Sequence, residues 1–79
     1  MQASEVKNLI EQQLPGTQVE VDGEGCNFQL VLISDELAAL SPLKRQQQIY
    51  ALLNEPIADG SIHAVTMKFF THEAWANRP

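Results

Sequence analysis

Near the start of the chain, Val6, Leu9, Ile10 and Leu14 recur at three- and four-residue spacings. That period predicts a helix with one buried face and Lys7, Glu11 and Gln12 turned away from it. Ser4 is placed to cap this helix, and Glu5 to meet the positive end of its dipole. Pro15-Gly16 stops it. The pattern then changes to alternation: Thr17, Val19 and Val21 point one way, Gln18, Glu20 and Asp22 the other. This is the signature of a half-exposed strand. Gly23 to Asn27 reads as a turn and Phe28 to Ile33 as a second strand. Five residues with two glycines between two strands predict an antiparallel hairpin.

Ser34 to Leu40 leads away from the sheet as a loose helical turn. Ser41-Pro42 then opens a helix, the hydroxyl as cap and the proline at the first helical position. This helix carries Leu43, Ile49, Tyr50, Leu52 and Leu53, with Lys44, Arg45, Gln46, Gln47 and Gln48 in its early turns. Pro56 is expected to end or kink it near Asn54, and Ile57-Ala58-Asp59 to form a short turn. The most strand-like run follows, Ser61 to Phe70, rich in β-branched and aromatic residues and started by Asp59-Gly60-Ser61. Thr71 caps a last helical turn, His72 to Ala76, with Glu73 at its favourable end and Trp75 expected to pack the turn onto the sheet. The last three residues are expected to fray.

The order is therefore α-β-β-α-(α)-β-α. A helical crossover between the second and third strands suits a parallel pair with right-handed connection. The expected fold is α+β, a small mixed three-stranded sheet with helices packed on one face. Residues 1–79 make one domain, which buries only about 60% of the surface its unfolded form exposes.

Charge narrows the function classes. Ten acidic residues stand against five basic ones, for a net charge of −5, and the basic residues are scattered apart from Lys44-Arg45. Nucleic-acid affinity is dominated by phosphate contacts, so this balance disfavours strong general binding to DNA or RNA. The bland reading of Lys44 and Arg45 is a solvated helix face; the alternative is contact with an acidic or glutathione-bearing partner surface. No apolar run approaches the ~20 residues of a membrane span. The N-terminus lacks the basic start and apolar centre of a signal peptide, and the expected location is the cytoplasm.

Two side chains carry candidate chemistry. His63 stands where a strand emerges from a turn, so its imidazole is placed to reach solvent as a proton carrier or metal ligand; a ring that merely packs is the alternative. The lone Cys26 cannot form an internal disulfide, and one thiol is too few for a zinc finger. Its neighbours put it in or beside a glycine-bearing loop. No third residue to orient a Cys–His pair and no oxyanion site can be identified, so an enzyme is not expected.

Three pieces, in order, resemble the BolA family over nearly the whole chain. They are Gly-Glu-Gly-Cys-Asn-Phe (Gly23 to Phe28), Lys-Arg-Gln-Gln-Gln-Ile-Tyr (Lys44 to Tyr50), and Gly-Ser-Ile-His-Ala-Val running to Phe-Thr-His-Glu-Ala-Trp (Gly60 to Trp75). The likeness is greatest to a short, acidic bacterial branch. The resemblance implies a fold like the class II KH domain, although the Gly-Xaa-Xaa-Gly loop of KH nucleic-acid binders is missing. It also implies partnership with a monothiol glutaredoxin. A [2Fe-2S] cluster is then held jointly by the glutaredoxin Cys, glutathione and the BolA protein, with none in the isolated chain. The family's strand-start His matches His63, and the loop donor falls on Cys26, two residues before Phe28. Imidazole and thiolate are both good iron ligands. The resemblance further implies a role in cluster trafficking or in sensing iron, redox or acid stress; a weak homodimer is a second association that the sequence leaves open. A DNA-binding transcriptional regulator is the alternative within the same family.

Overall fold

The computed structural model describes residues 2–24 and 27–79, with only the backbone of Glu24. Its elements are α1 (Ala3–Gln13), β1 (Gln18–Glu24), β2 (Asn27–Ile33), α2 (Asp35–Ala39), α3 (Pro42–Leu52), α4 (Asn54–Ala58), β3 (Ala64–Phe70) and α5 (His72–Ala76). The sheet order is β1-β2-β3, with β1 antiparallel and β3 parallel to the central strand. This is the expected mixed α+β arrangement.

Strand register decides which side chains share a face. Val19 aligns with Leu32 and Phe69, Val21 with Leu30 and Met67, and Gly23 with Phe28 and Val65. Because successive side chains alternate, these residues form one apolar face. Val6 and Ile10 of α1, Leu37 of α2, Ile49 of α3, Leu53 and Ile62 complete a single core with it. Burying each such aliphatic side chain contributes roughly 1.5–3 kcal/mol. The opposite face is mostly polar, with Val31 between Glu20 and Lys68, and it turns apolar at its far end. There Ile33, fully buried but outside the main core, is in register with Phe70. The Trp75 ring lies 5.3 Å from Phe70 at a tilt of 58°, so α5 is packed onto the sheet as its aromatic residue predicts.

Several boundaries differ from the sequence expectation, each for a physical reason. The first helix begins before Ser4: Gln2 is its cap, and the Glu5 carboxylate accepts a hydrogen bond from the Gln2 N–H at 3.0 Å. The expected turn from Gly23 to Asn27 is narrower, because Gly23 pairs with Phe28 and Glu24 with Asn27. Ladder hydrogen bonds there outweigh the turn preference of glycine. Ser61, Ile62 and His63 precede β3 and are not part of it. Ile57 and Ala58 lie in α4, a helix rather than a turn. Pro56 is its third residue, where the missing N–H has no helical partner to lose.

Lys7 and Glu11 were expected to lie away from the packed face, yet they bind the outer edge of β1. The Glu11 carboxylate accepts from the Val19 N–H at 3.0 Å, and Lys7 Nζ donates to the Val19 carbonyl at 2.6 Å and to Glu11 at 2.8 Å. The lysine ammonium first, and then the Val19 N–H, hold the Glu11 carboxyl below its ordinary range. A depressed carboxylate contributes stability above its unfolded pKa and loses it as pH falls through the folded value. Glu11→Gln should therefore destabilise the protein near neutral pH by about 1 kcal/mol, a screened charge-assisted hydrogen bond. Urea midpoints of the two proteins should converge below about pH 4. A gap independent of pH would show that the carboxylate charge contributes nothing.

Candidate functional site

The segment leading into β3 is built to display one side chain. Asp59 accepts a hydrogen bond from the Ser61 N–H at 2.8 Å, and the Ser61 hydroxyl first, then that N–H, lowers the Asp59 carboxyl below its ordinary range. Gly60 turns the chain at φ 85°, a conformation that glycine adopts without penalty. Ile62 is buried in the core, and its N–H donates to the Pro56 carbonyl at 3.0 Å. His63 comes next and is exposed, and Ala64 begins the parallel ladder opposite Asn27. The imidazole is thus free in solvent while its backbone is held on both sides, by a core anchor and by the sheet.

The pairing of Asn27 with Ala64 places His63 at the same end of the sheet as the β1–β2 connection. Cys26 belongs to that connection and lies outside the described residues. Beside this end is an open depression of about 380 Å³ lined by Gly23, Asn27, Phe28, Gln29, Ala64 and Thr66. Sequence pattern alone does not single out its polar lining residues. Asn27 and Gln29, alternating with the buried Phe28 and Leu30, were the available signal.

Lys44 and Arg45 sit elsewhere. Lys44 is exposed on α3, as a solvated helix face predicts. Arg45 is half-buried: its guanidinium lies 5.1 Å from the centre of the Phe69 ring and donates to the Ala38 carbonyl at 3.4 Å. Phe69 is near the opposite end of β3 from His63, roughly 20 Å along the strand. The structure does not bring Arg45 and His63 together.

Among the described residues, no group of three or more His, Cys, Asp or Glu side chains is placed to hold a metal ion. The exposed imidazole of His63, on a backbone held by Ile62 and Ala64, fits a single ligand whose other donors come from elsewhere. Among the described residues no helix is long and apolar enough to cross a membrane.

Element order, mixed topology and a solvent-facing His at the start of the parallel strand define a small α+β domain of the BolA fold. The family model for BolA-like proteins matches residues 4–74, and the chain belongs to the BolA family. It is 39% identical over 75 residues to an uncharacterised protein of Haemophilus influenzae, covering 95% of this chain and 88% of that one. It is 36% identical over 76 residues to the acid stress protein IbaG of Escherichia coli K12, covering 96% and 90%. Among solved structures, a BolA homologue from Coxiella burnetii superposes with a TM-score of 0.79 over 98% of this chain and 99% of that one, at 23% identity. That last likeness speaks to the fold.

Proposed function

We propose that this protein is an adaptor that binds a monothiol glutaredoxin and shares a [2Fe-2S] cluster with it and with glutathione. The observation that carries the reading is His63, an exposed imidazole fixed between a buried anchor and the first ladder pair. Family membership supports it. His63 would donate one ring nitrogen, and Cys26 a thiolate from the neighbouring loop; the partner and glutathione would supply the remaining ligands. When bound, the cluster supplies transferable iron whose potential rises as imidazole replaces thiolate. Ile62 and Ala64 keep the imidazole positioned whether or not a partner is present. Both donors must be deprotonated to ligate, so protons compete with iron and the complex loosens in acid. A similar bacterial protein is named for acid stress, in keeping with a role in stress response as well as in cluster trafficking.

The test is anaerobic cluster reconstitution of this protein mixed with a monothiol glutaredoxin, read by visible absorption and circular dichroism. The wild-type mixture should give a spectrum distinct from the glutaredoxin homodimer. His63→Ala should abolish it, and Cys26→Ala should weaken it or shift its bands. A mixture whose spectrum stays that of glutaredoxin alone would end the reading.

A further inference from the structure

The two edges of the sheet are finished differently. On β1, Val19 turns its N–H and C=O outward, and Glu11 and Lys7 take both. The Gly23 N–H donates to the Asp22 carboxylate at 2.9 Å. The same strand carries Glu20, Asp22 and Glu24, and charge on an edge discourages pairing with another chain.

β3 has only one of these devices, the charge of Lys68. The Ser34 N–H donates to the Phe70 carbonyl at 2.9 Å, so Phe70, and by alternation Lys68 and Thr66, direct their backbone groups toward β2. Val65, Met67 and Phe69 therefore direct theirs away from the sheet. Among the described residues, no backbone hydrogen bond from a loop, turn or cap reaches these three. Their side chains are half-buried, leaving part of an apolar row uncovered, and the strand contains no carboxylate.

We propose that this edge pairs antiparallel with the same edge of a second copy about a two-fold axis at Met67, joining two sheets into one of six strands. The occupant follows from the pattern itself. Under this symmetry Met67 faces its own copy and Val65 faces Phe69 of the second copy, so the uncovered apolar row Val65-Met67-Phe69 is complementary to itself. On the other face Thr66 meets Lys68 of the second copy, and no like charges stand directly opposite. A chain of net charge −5 thus approaches its copy through a strand whose only charge is Lys68. A contact of this kind, two short strand edges, belongs with weak interfaces of under about 1,200 Å². The dimer should be weak and concentration-dependent. It needs neither the glutaredoxin nor a cluster, so it stands apart from the proposed function.

The test combines sedimentation equilibrium with amide exchange followed by NMR on the wild-type protein, up to about 1 mM, the range that weak interfaces require. Association should appear, and protection of the Val65, Met67 and Phe69 amides should rise with concentration. Met67→Lys places two ammonium groups at the axis and should weaken association by about tenfold or more. Met67→Pro removes the central outward donor, at an edge position where proline is tolerated, and should do the same. If the lysine variant does not fold, the proline variant and the wild-type exchange pattern decide. A wild type that stays monomeric throughout overturns the proposal. So does protection that grows elsewhere, or association that survives in a folded variant.

Discussion

Leu30→Ala should lower the stability of this protein by about 3 kcal/mol, within the range of buried Leu→Ala changes. Leu30 is 1% exposed on the central strand, in register with Val21 on one side and Met67 on the other. Both neighbouring strands are fixed by ladder hydrogen bonds, so the cavity cannot close by local collapse. A chain of 79 residues has a total stability on the order of 4–12 kcal/mol. The loss is therefore a large fraction of the whole and should lower Tm by roughly 15–20 °C. Urea unfolding should show a shifted midpoint with an unchanged slope. Leu43→Ala makes the same chemical change on α3 at a residue 66% exposed and should stay within about 0.5 kcal/mol of wild type. Equal losses at the two positions would contradict the placement of the core.

That contrast marks where sequence pattern is informative. Leu30 lies in Phe28 to Ile33, the apolar run that predicts the second strand, and the structure places that strand at the centre of the sheet. Alternation placed Val19 and Val21 on the buried face of β1, and Ser41-Pro42 marked the start of α3; both agree with the structure. Element ends were less legible. Glycine punctuation predicts a turn at Gly23, whereas Gly23 sits within the ladder opposite Phe28. Lys7 and Glu11 show a deeper limit. A helical pattern assigns them to the polar face but cannot indicate that a strand edge passes within hydrogen-bond reach.

The site divides in the same way. The position of His63 at the emergence of a strand was legible, because Asp59-Gly60-Ser61 is local turn chemistry and its exposure follows from it. What local sequence could not supply was register. The pairing of Asn27 with Ala64, which sets the β1–β2 connection beside His63, joins residues far apart in the chain. The contacts of Arg45 with Phe69 and Ala38 were illegible for the same reason, because they depend on how α2, α3 and β3 meet. Composition labels a guanidinium as available charge, whereas packing decides whether its apolar stem and planar head are already engaged.

Gly23→Ala should be the most damaging substitution that leaves the core untouched. Gly23 has φ 136°, outside the range that side-chain-bearing residues tolerate. An added Cβ would collide with the Asn27 carbonyl oxygen and lie 2.9 Å from Phe28 Cα. Both obstacles are backbone of the adjacent strand, so neither can rotate aside. Strain and overpacking together should amount to about 3 kcal/mol. Gly60→Ala is the proper comparison: its φ of 85° is also strained, but nothing lies within 4 Å of the new Cβ, so about 1 kcal/mol is expected. Urea midpoints should rank wild type above Gly60→Ala and Gly60→Ala well above Gly23→Ala. Relief of the Gly23 clash requires the end of the hairpin to move, and Asn27 at that end is paired with Ala64, the residue after His63. If the proposed cluster role is right, Gly23→Ala should reduce heterodimer formation with glutaredoxin even at temperatures where it remains folded. A folded Gly23→Ala protein with wild-type cluster formation would mean that His63 does not need the hairpin end to be in place.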